Sequence, residues 1–384
     1  MKKKVLFVIT SLTTGGIVRA LQNYLNCYNR NEYDVDVFSM VHHGVYQGVL
    51  KNCKMLPMSK WLDASVAHLE NRKGWGKAWS MLLKLADKVT EYKVQELLMK
   101  RIAHLMFNCK NYDAVIAFSE GLPTRFVSMM NHPNKIGWIH CDYASYRQLN
   151  GNHSELGIYE KLQHVVCVSE FTRVSFCNIY PTLSKKTTFI YNVIDDVMMR
   201  NKSKESIEEP FDNSSFNIVS VGRIDPVKRL SIVPELARKV SKAGCKIRWY
   251  LIGPKGTKGE VELLSKNMEK YETEDIVRFL GEKNNPYPYI ANADLLVNTS
   301  VSEACPYVIN EAKILGTPVV CTDFGSAKEF IDYDQSGYYE PIEKVADRII
   351  WLINNPHILN RLKQHLSTFK YNNSHIISQI DSLL

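Results

Sequence analysis

"DLLVNTSVSEACPYVINEA", Asp294 to Ala312, joins one short apolar run to another that begins with a proline. The opening "DLLVNTS" predicts a buried strand, because a continuous apolar run of this length bounded by polar residues is typical of parallel sheets. Pro306 predicts the first turn of a helix, where its missing N–H costs nothing. A strand, a short loop and a helix in direct succession form the repeating unit of an α/β sheet.

The same pattern recurs on both sides of this stretch. The other runs that predict strands are "KVLFVIT", "YDVDVFSM", "DAVIAFS", "KIGWIH" and "HVVCVS" in the first half, then "FNIVSVG", "IRWYLIG" and "PVVCTD" in the second. Longer segments with helical periodicity separate them, which is typical of βαβ units. The polar, charged "RNKSKESIEEPFDNSS" (200–215) interrupts the periodicity near mid-chain and predicts a linker.

These patterns predict an α/β protein of two Rossmann-like, doubly wound domains that face each other across a cleft. We expect an N-terminal domain over 1–202 and a second domain over 203–366. Residues 367–384 predict a C-terminal helix that packs back on the first domain. Ligands are expected outside the carboxyl ends of the strands, where doubly wound sheets bind them.

Composition excludes several other classes of protein. The chain has 384 residues, 45% hydrophobic and 23% charged, which suits two globular domains. Nine cysteines without a CxxC pair argue against a disulfide framework and a zinc site, and favour reduced thiols in the cytoplasm. The apolar run in "MKKKVLFVIT" is too short for a signal peptide. The sequence has no run of about 18 apolar residues, so it predicts no membrane-spanning helix. A net charge of +8 is too small to indicate nucleic acid as a partner.

Two glutamates interrupt the apolar stretch that opens this section. The positions predict Glu303 in the loop before the helix and Glu311 about one and a half turns inside it. The backbone N–H groups of Tyr307 and Val308 then point outward at the positive end of the helix dipole. Carboxylates accept hydrogen bonds from vicinal hydroxyls, and helix-start amides bind phosphate oxygens, so the arrangement fits a ligand with sugars at both ends and phosphates between. Helix capping alone explains Glu303 well but Glu311 badly.

Residues that can bind phosphate follow two further predicted strands. In "VGRIDPVKRL" (221–230), the guanidinium of Arg223 and the ammonium of Lys228 can neutralise a diphosphate; a solvated basic loop is the alternative. In "SLTTGG", Gly15 and Gly16 allow a tight turn and a close backbone approach just before a helix, although such a turn can also be purely structural.

Taken together, these motifs show a family resemblance. "SEACPYVINEAKILGTPVVCTDFGSAKEFI" resembles the E-x7-E region of retaining glycosyltransferases of the GT-B fold, specifically family 4. "VGRIDPVKRL" is similar to that family's GR-x4-K phosphate clamp, "SLTTGGIVRAL" to its GG-x-E-R opening, and "VVCVSEFTR" and "IYNVID" to its inter-domain segments. The resemblance implies retaining transfer of a hexosyl or N-acetylhexosaminyl group from a nucleoside-diphosphate sugar, with UDP as the family's commonest nucleotide. The implied acceptor is a glycan or a lipid-linked molecule in surface polysaccharide synthesis. The resemblance further implies that the domain over 1–202 binds the acceptor and the domain over 203–366 binds the nucleotide sugar.

The resemblance also implies a role for each matching residue. Glu303 is expected near the hydroxyls of the donor sugar, Glu311 on the ribose, and Arg223 and Lys228 on the diphosphate. His140, in "GWIHCDY", is expected beside the reacting carbon, although a neutral histidine at a strand end is the competing interpretation. The remaining expected donor contacts are Gly15, Gly16, Gly253, Gly281, Cys305, Pro306, Tyr307 and Val308.

The chain departs from the family pattern at two positions. Val18 stands where the opening motif usually has Glu, and Ala304 stands where Gly commonly follows the first Glu. Asp34 and Asp36 form a literal D-x-D, which binds a divalent ion in the other glycosyltransferase fold, but here they alternate with valines on a predicted strand. We therefore interpret them as structural, and expect no metal and no cofactor besides the substrate nucleotide sugar.

Three other functions stay open from the sequence. A nicotinamide dehydrogenase would share the doubly wound halves but should show GxGxxG with an acidic residue about 20 positions later. A nucleotide-sugar epimerase of the same fold would change the donor without an acceptor. A catalytically silent partner subunit would bind a nucleotide sugar without transferring it.

Residues 51–110 carry 12 Lys and Arg against 5 Asp and Glu, which is nearly the whole excess of positive charge. Within this segment, apolar residues recur at helical spacing with lysines beside them: Trp75, Trp79, Leu82, Ala86 and Val89, with Lys77, Lys84 and Lys88. A basic amphipathic segment with tryptophan is typical of helices that lie on anionic membranes. Packing of a helix pair on the first sheet is the alternative. The membrane interpretation predicts a cytoplasmic protein that is peripheral at the inner face of the membrane.

Overall fold

The computed structural model describes residues 2–13, 15–41, 50–66, 74–90, 93–107 and 111–384. They form two compact units, Met1–Ile194 with Asn372–Leu384, and Asp195–Tyr371. Each unit is a parallel sheet with helices, which confirms the predicted fold class of two doubly wound α/β domains. Within the described residues, no helix is both long enough and apolar enough to cross a membrane.

The boundary between the units lies eight residues before the predicted position of 202, and the C-terminal segment of the first unit begins at Asn372 instead of residue 367. Local contacts explain the earlier boundary. The side chain of Asp195 accepts a hydrogen bond from the Met198 N–H and so caps the helix Asp196–Lys202. Arg200 of that helix donates to the Phe369 carbonyl of the second unit at 3.1 Å. The polar linker sequence therefore begins inside a helix of the second unit.

The first unit contains a seven-stranded parallel sheet in the order β3-β2-β1-β4-β5-β6-β7. The strands are β1 Lys3–Ile9, β2 Tyr33–Ser39, β3 Lys54–Met55, β4 Ala114–Ala117, β5 Lys135–Ile139, β6 His164–Cys167 and β7 Thr187–Phe189. The helices are α1 Gly16–Cys27, α2 Lys60–Val66, α3 Gly74–Val89, α4 Lys93–Phe107, α5 Leu122–Ser128, α6 Tyr143–Leu149, α7 Leu156–Glu160, α8 Glu170–Ile179 and α17 Asn373–Asp381. The strand order reverses between β1 and β4, so the loops after these two strands are neighbours.

The second unit contains a six-stranded parallel sheet in the order β10-β9-β8-β11-β12-β13. The strands are β8 Phe216–Val221, β9 Ile247–Ile252, β10 Val277–Gly281, β11 Leu295–Asn298, β12 Val319–Thr322 and β13 Gly337–Glu340. The helices are α9 Asp196–Lys202, α10 Val233–Lys242, α11 Lys258–Lys270, α12 Tyr287–Asn292, α13 Tyr307–Leu315, α14 Ala327–Phe330, α15 Ile342–Asn354 and α16 Pro356–Ser367. Here the order reverses between β8 and β11.

Buried apolar strands hold each unit together. In β1 the residues from Val5 to Ile9 are all buried, and so are all four residues of β11 and of β12. Helices cover both faces of a parallel sheet, which explains why these strands are apolar without alternation. Pro306 is the N-cap of α13, one position before the first turn, and Gly316 ends that helix in the left-handed conformation with a φ of 86°.

Candidate functional site

The reversal of strand order in the second unit brings two loops together. The segment after β8 meets the segment after β11, because the Val301 N–H donates to the Val227 carbonyl at 2.8 Å. The hydroxyl of Thr299 donates to the Lys228 carbonyl at 2.9 Å. The predicted basic loop and the first predicted glutamate therefore lie side by side at the carboxyl edge of the sheet, although Lys228 and Glu303 are 75 residues apart in the chain.

Lys228 and Glu303 form an ion pair. Nζ of Lys228 lies 2.5 Å from Oε1 of Glu303, and the Ser300 hydroxyl donates to the same oxygen at 2.7 Å. The Glu303 side chain is only 11% exposed, so losing Lys228 would leave a largely buried carboxylate without its counter-ion. The two residues, which sequence reasoning assigned to different parts of the ligand, thus form one electrostatic unit.

Asp225 organises the basic loop, and sequence reasoning missed it. One carboxylate oxygen accepts a hydrogen bond from Nε of Arg223 at 2.8 Å, and the other accepts from the Lys228 N–H at 2.9 Å. The Asp225 side chain is 11% exposed, whereas that of Arg223 is 60% exposed. The Arg223 guanidinium is therefore held through Nε while its side chain remains accessible to solvent. The signal in the sequence was an aspartate three residues before the lysine, a spacing typical of a turn closed by an aspartate side chain.

The local backbone explains why two of the predicted site residues, Gly253 and Gly281, are glycines. A Cβ on Gly253 would lie 2.1 Å from the Gly222 carbonyl oxygen, so only glycine lets the ends of β8 and β9 approach this closely. The Gly253 N–H donates to the Gly281 carbonyl at 2.9 Å, and Gly281 has a φ of 73°. The structure therefore brings Gly222, Gly253 and Gly281 together at the carboxyl ends of three neighbouring strands.

The start of α13 lies next to the Glu303 loop. The Glu303 carbonyl accepts a hydrogen bond from the Ser326 hydroxyl at 2.7 Å, which fixes the loop. Pro306 is the N-cap, and within the described part of the chain no side chain caps this helix. The N–H groups at the start of an α-helix carry the positive end of its dipole, which here falls on the backbone of Tyr307 and Val308. Glu311 is the fifth residue of α13 and is buried.

In the first unit, the predicted glycines begin α1. Gly15 is the N-cap and Gly16 is the first helical residue; both are exposed, and a Cβ on either would meet nothing within 4 Å. Packing within the chain therefore does not require glycine at these positions. Val18, which replaces the glutamate of the family motif, is buried in the core and offers no polar group.

His140 follows β5 and is held by the neighbouring strand end. Its backbone N–H donates to Oε2 of Glu120 at 2.9 Å, and its ring lies against Phe118, with 4.8 Å between ring centroids. Nε2 is buried and makes no hydrogen bond within the described residues of the first unit. Burial lowers the pKa of His140 to about 3, so the imidazole is neutral at physiological pH.

Glu120 is a second residue that sequence reasoning missed. It follows β4, next to the point where the strand order reverses, and its carboxylate accepts hydrogen bonds from the His140 N–H and the Cys141 thiol. Burial raises the pKa of Glu120, and the hydrogen bond from His140 partly offsets that rise. A glutamate directly after the apolar run "DAVIAFS" was the available signal.

The neutral state of His140 can be checked by NMR. We expect its ring signals to keep their neutral chemical shifts from pH 8 down to about pH 5, because the lowered pKa places protonation well below that range. A His140→Gln variant identifies the signals. A titration midpoint near 6.5, the ordinary value for histidine, would contradict the assignment.

The D-x-D side chains are engaged within the first sheet. Asp34 pairs with Lys2 at 3.5 Å, and the buried Asp36 accepts a hydrogen bond from the Tyr112 hydroxyl at 2.7 Å. Lys4 lies 3.6 Å from Asp36. These contacts support the structural interpretation. Among the residues that the structure describes, no group of three or more His, Cys, Asp or Glu is placed to hold a metal ion.

Similarity to known proteins agrees with this geometry. Residues 201–368, most of the second unit, match the family described as "Glycosyl transferases group 1". The chain is 26% identical over 238 residues to an N-acetylgalactosamine-N,N'-diacetylbacillosaminyl-diphospho-undecaprenol 4-alpha-N-acetylgalactosaminyltransferase of Campylobacter jejuni, covering 56% of this chain and 62% of that protein. It is 26% identical over 246 residues to the poly(ribitol-phosphate) alpha-N-acetylglucosaminyltransferase of Staphylococcus aureus, covering 61% and 47%. Each match thus spans less than two thirds of the relative's length.

A solved structure extends the likeness to the whole chain. Anabaena HepE in complex with UDP-glucose superposes with a TM-score of 0.72 at 19% sequence identity, covering 99% of this chain and 98% of that one. The fold is therefore that of the GT-B glycosyltransferases. The family match lies within the second unit, and both of these relatives are named as glycosyltransferases.

Proposed function

We propose that the protein is a retaining family 4 glycosyltransferase that moves a hexosyl or N-acetylhexosaminyl group from a UDP-sugar to a hydroxyl of a glycan or lipid-linked acceptor in surface polysaccharide synthesis. The observation that carries the proposal is the Lys228–Glu303 pair beside Arg223, at the strand reversal of the unit that matches group 1 glycosyltransferases. The names of the two relatives support N-acetylhexosamine transfer, to a diphospho-undecaprenol-linked glycan in one and to poly(ribitol phosphate) in the other.

Each part of the donor is assigned to a group of this chain. Arg223, Lys228 and the first amides of α13 hold the diphosphate, because they combine two cations with a helix N-terminus. Oε2 of Glu303 binds the sugar hydroxyls, while its Oε1 is held by Lys228 and Ser300. The remaining proposed donor contacts are Glu311 on the ribose, the backbone near Gly253 and Gly281 on the base, the Cys305–Pro306 loop, and Gly15 and Gly16 on the phosphates.

The reaction follows from these charges. As the bond between the anomeric carbon and the phosphate oxygen breaks, negative charge grows on the diphosphate, and Arg223 and Lys228 stabilise it without reorganisation. The acceptor oxygen attacks the same face of the anomeric carbon, and its proton passes to the departing phosphate oxygen. His140 contributes a neutral hydrogen-bonding group beside the reacting carbon. No step in this scheme requires a metal ion.

Donor binding tests the proposal first. UDP-, GDP- and dTDP-sugars, and NAD and NADP for comparison, are added to the protein one at a time, and the thermal unfolding temperature is recorded. We expect at least one UDP-sugar to raise it in a concentration-dependent way, since a ligand that binds the native state stabilises it by mass action. Stabilisation by NAD or NADP without any response to nucleotide sugars would contradict the proposal and favour a dehydrogenase.

A further inference from the structure

Helix α3 buries two polar residues against the protein and exposes most of its large apolar residues to solvent. The two buried residues of this helix are Ser80 and Asp87, at 0% and 7% exposure. Oδ1 of Asp87 accepts a hydrogen bond from the Gln95 N–H at 2.8 Å, so the buried face secures the start of α4. The opposite face carries large apolar side chains, including Trp75 at 92% and Val89 at 75% exposure. This is the reverse of an ordinary surface helix, whose apolar stripe faces the core.

The exposed apolar residues form one stripe along the helix. Trp75, Leu82, Leu85 and Val89 are all exposed, and their spacing of three, four and seven positions puts them on one face. The ring of Trp79 on α3 lies against that of Trp61 on α2, with 5.5 Å between ring centroids, and both rings are also exposed. We call these exposed side chains of α2 and α3 (Trp61, Trp75, Trp79, Leu82, Leu85 and Val89) the apolar face. Single exposed apolar residues are ordinary, but a contiguous group marks an interaction surface.

A row of lysines lies on one side of the apolar face. Lys77, Lys84 and Lys88 recur at spacings of seven and four and so share one flank of α3. Within the described residues of α2, α3 and α4 there are seven Lys and Arg and three Asp and Glu. Two of the three acids, Asp63 and Asp87, are buried, so Glu96 is the exposed acid of these helices. The partner must therefore offer apolar volume together with negative charge.

We propose that the apolar face docks on the interface of an anionic lipid bilayer, with Trp75 and Leu82 entering the headgroup region and the lysine flank contacting acidic headgroups. Interfacial helices combine the same features of a tryptophan-bearing apolar face and flanking lysines. A second copy of the chain is disfavoured as the partner, because a self-complementary contact would set the lysine flanks against each other. The inference rests on the proposed function in one respect, which is that a lipid-linked acceptor lies in the membrane.

Sedimentation with vesicles tests the docking. The full chain is mixed with vesicles of phosphatidylcholine plus phosphatidylglycerol, or of phosphatidylcholine alone. We expect sedimentation with the anionic vesicles at low salt and release as ionic strength rises. Lys77→Gln/Lys88→Gln should weaken binding about tenfold to thirtyfold, from ~1 kcal/mol for each basic residue at the surface. The matched control is Lys258→Gln/Lys266→Gln on exposed α11, which removes the same charge and should leave binding unchanged.

A second variant pair tests the apolar contribution. Trp75→Ser/Leu82→Ser should weaken binding at least about tenfold through lost apolar burial, and Trp75→Phe should remove most of the blue shift in fluorescence on vesicle addition. Leu263→Ser, an exposed leucine on α11, is the control. Protein that stays in the supernatant, binds neutral vesicles equally well, or forms a dimer that Trp75→Ser/Leu82→Ser dissociates would overturn the proposal.

The same samples separate this inference from the proposed function. Stabilisation by UDP-sugars is measured on wild-type protein and on the variants of the apolar face. Vesicle binding without any response to nucleotide sugars would contradict the proposed function alone. Stabilisation by a UDP-sugar without vesicle binding would contradict the docking alone.

Discussion

Replacing Lys228 with alanine is expected to lower turnover by about tenfold to a hundredfold, and Arg223→Ala by at least about tenfold. Each cation is proposed to supply ~1.4–3 kcal/mol of stabilisation to the charge that grows on the leaving diphosphate. Lys228→Ala should have the larger effect, because it also removes the counter-ion of the largely buried Glu303 carboxylate. Turnover is measured as the rate of sugar transfer at saturating donor.

A matched control comes from the same unit. Lys239 on α10 pairs with Glu235 at 3.0 Å on the surface, and Lys239→Ala should leave turnover unchanged. Because Lys228 and Glu303 form one unit, the turnover of Lys228→Ala/Glu303→Ala should be only slightly lower than that of the less active single variant. Wild-type turnover in a folded Arg223→Ala/Lys228→Ala protein would contradict the assignment of the clamp.

Glu311→Gln is expected to weaken binding of both UDP and the UDP-sugar about tenfold to a hundredfold. Hydrogen bonds from ribose hydroxyls to a charged carboxylate contribute ~1.5–3 kcal/mol to the binding free energy, and this contribution is lost when the charge is removed. Glu303→Gln should weaken binding of the UDP-sugar but leave that of UDP nearly unchanged, since Glu303 is assigned to the sugar. Both affinities are measured by titration calorimetry.

Glu343→Gln is the control for this pair, because Glu343 is exposed at the start of α15. It should bind both ligands as the wild type does. If Glu303→Gln and Glu311→Gln weaken both ligands equally, the division of roles between the two glutamates is wrong.

The sequence predicted nine strands, and the structure contains all of them. The four strands that the apolar pattern missed are β3, β7, β10 and β13, which are the two edges of each sheet. An edge strand pairs on one side only and buries less apolar surface, so its sequence carries a weaker pattern. β3 shows this most clearly, because it consists of Lys54 and Met55 alone.

The candidate site was predicted in its parts but not in its contacts. Motif spacing placed Lys228 and Glu303 at the ends of separate strands, and their pairing depends on β8 lying next to β11. Periodicity identifies strands without giving their order, so the ion pair could not be read from the sequence. For the same reason Glu120 was missed, because its contact with the His140 N–H depends on β4 lying next to β5. The contact of Asp225 with the Lys228 N–H spans only three residues, so the sequence did carry a signal for it.

The apolar face shows a different limit of the sequence. Helical spacing predicted an amphipathic segment around Trp75, but the same stripe is compatible with core packing. The burial of Ser80 and Asp87 decides the orientation of α3, because these polar residues occupy the side that faces the protein. The orientation depends on tertiary contacts such as the cap that Asp87 provides to α4.

The central claim, transfer of a sugar from a UDP-sugar, is tested most directly by following radiolabelled sugar. Labelled UDP-glucose, UDP-galactose, UDP-N-acetylglucosamine and UDP-N-acetylgalactosamine are each incubated with the protein and bacterial membranes in the presence of EDTA. We predict that one donor loses its label to a lipid-linked or polymeric product with release of one UDP per sugar, and that Lys228→Ala abolishes most of the transfer. Binding of UDP-sugars without release of UDP, or conversion of the sugar while it remains attached to UDP, would contradict the claim.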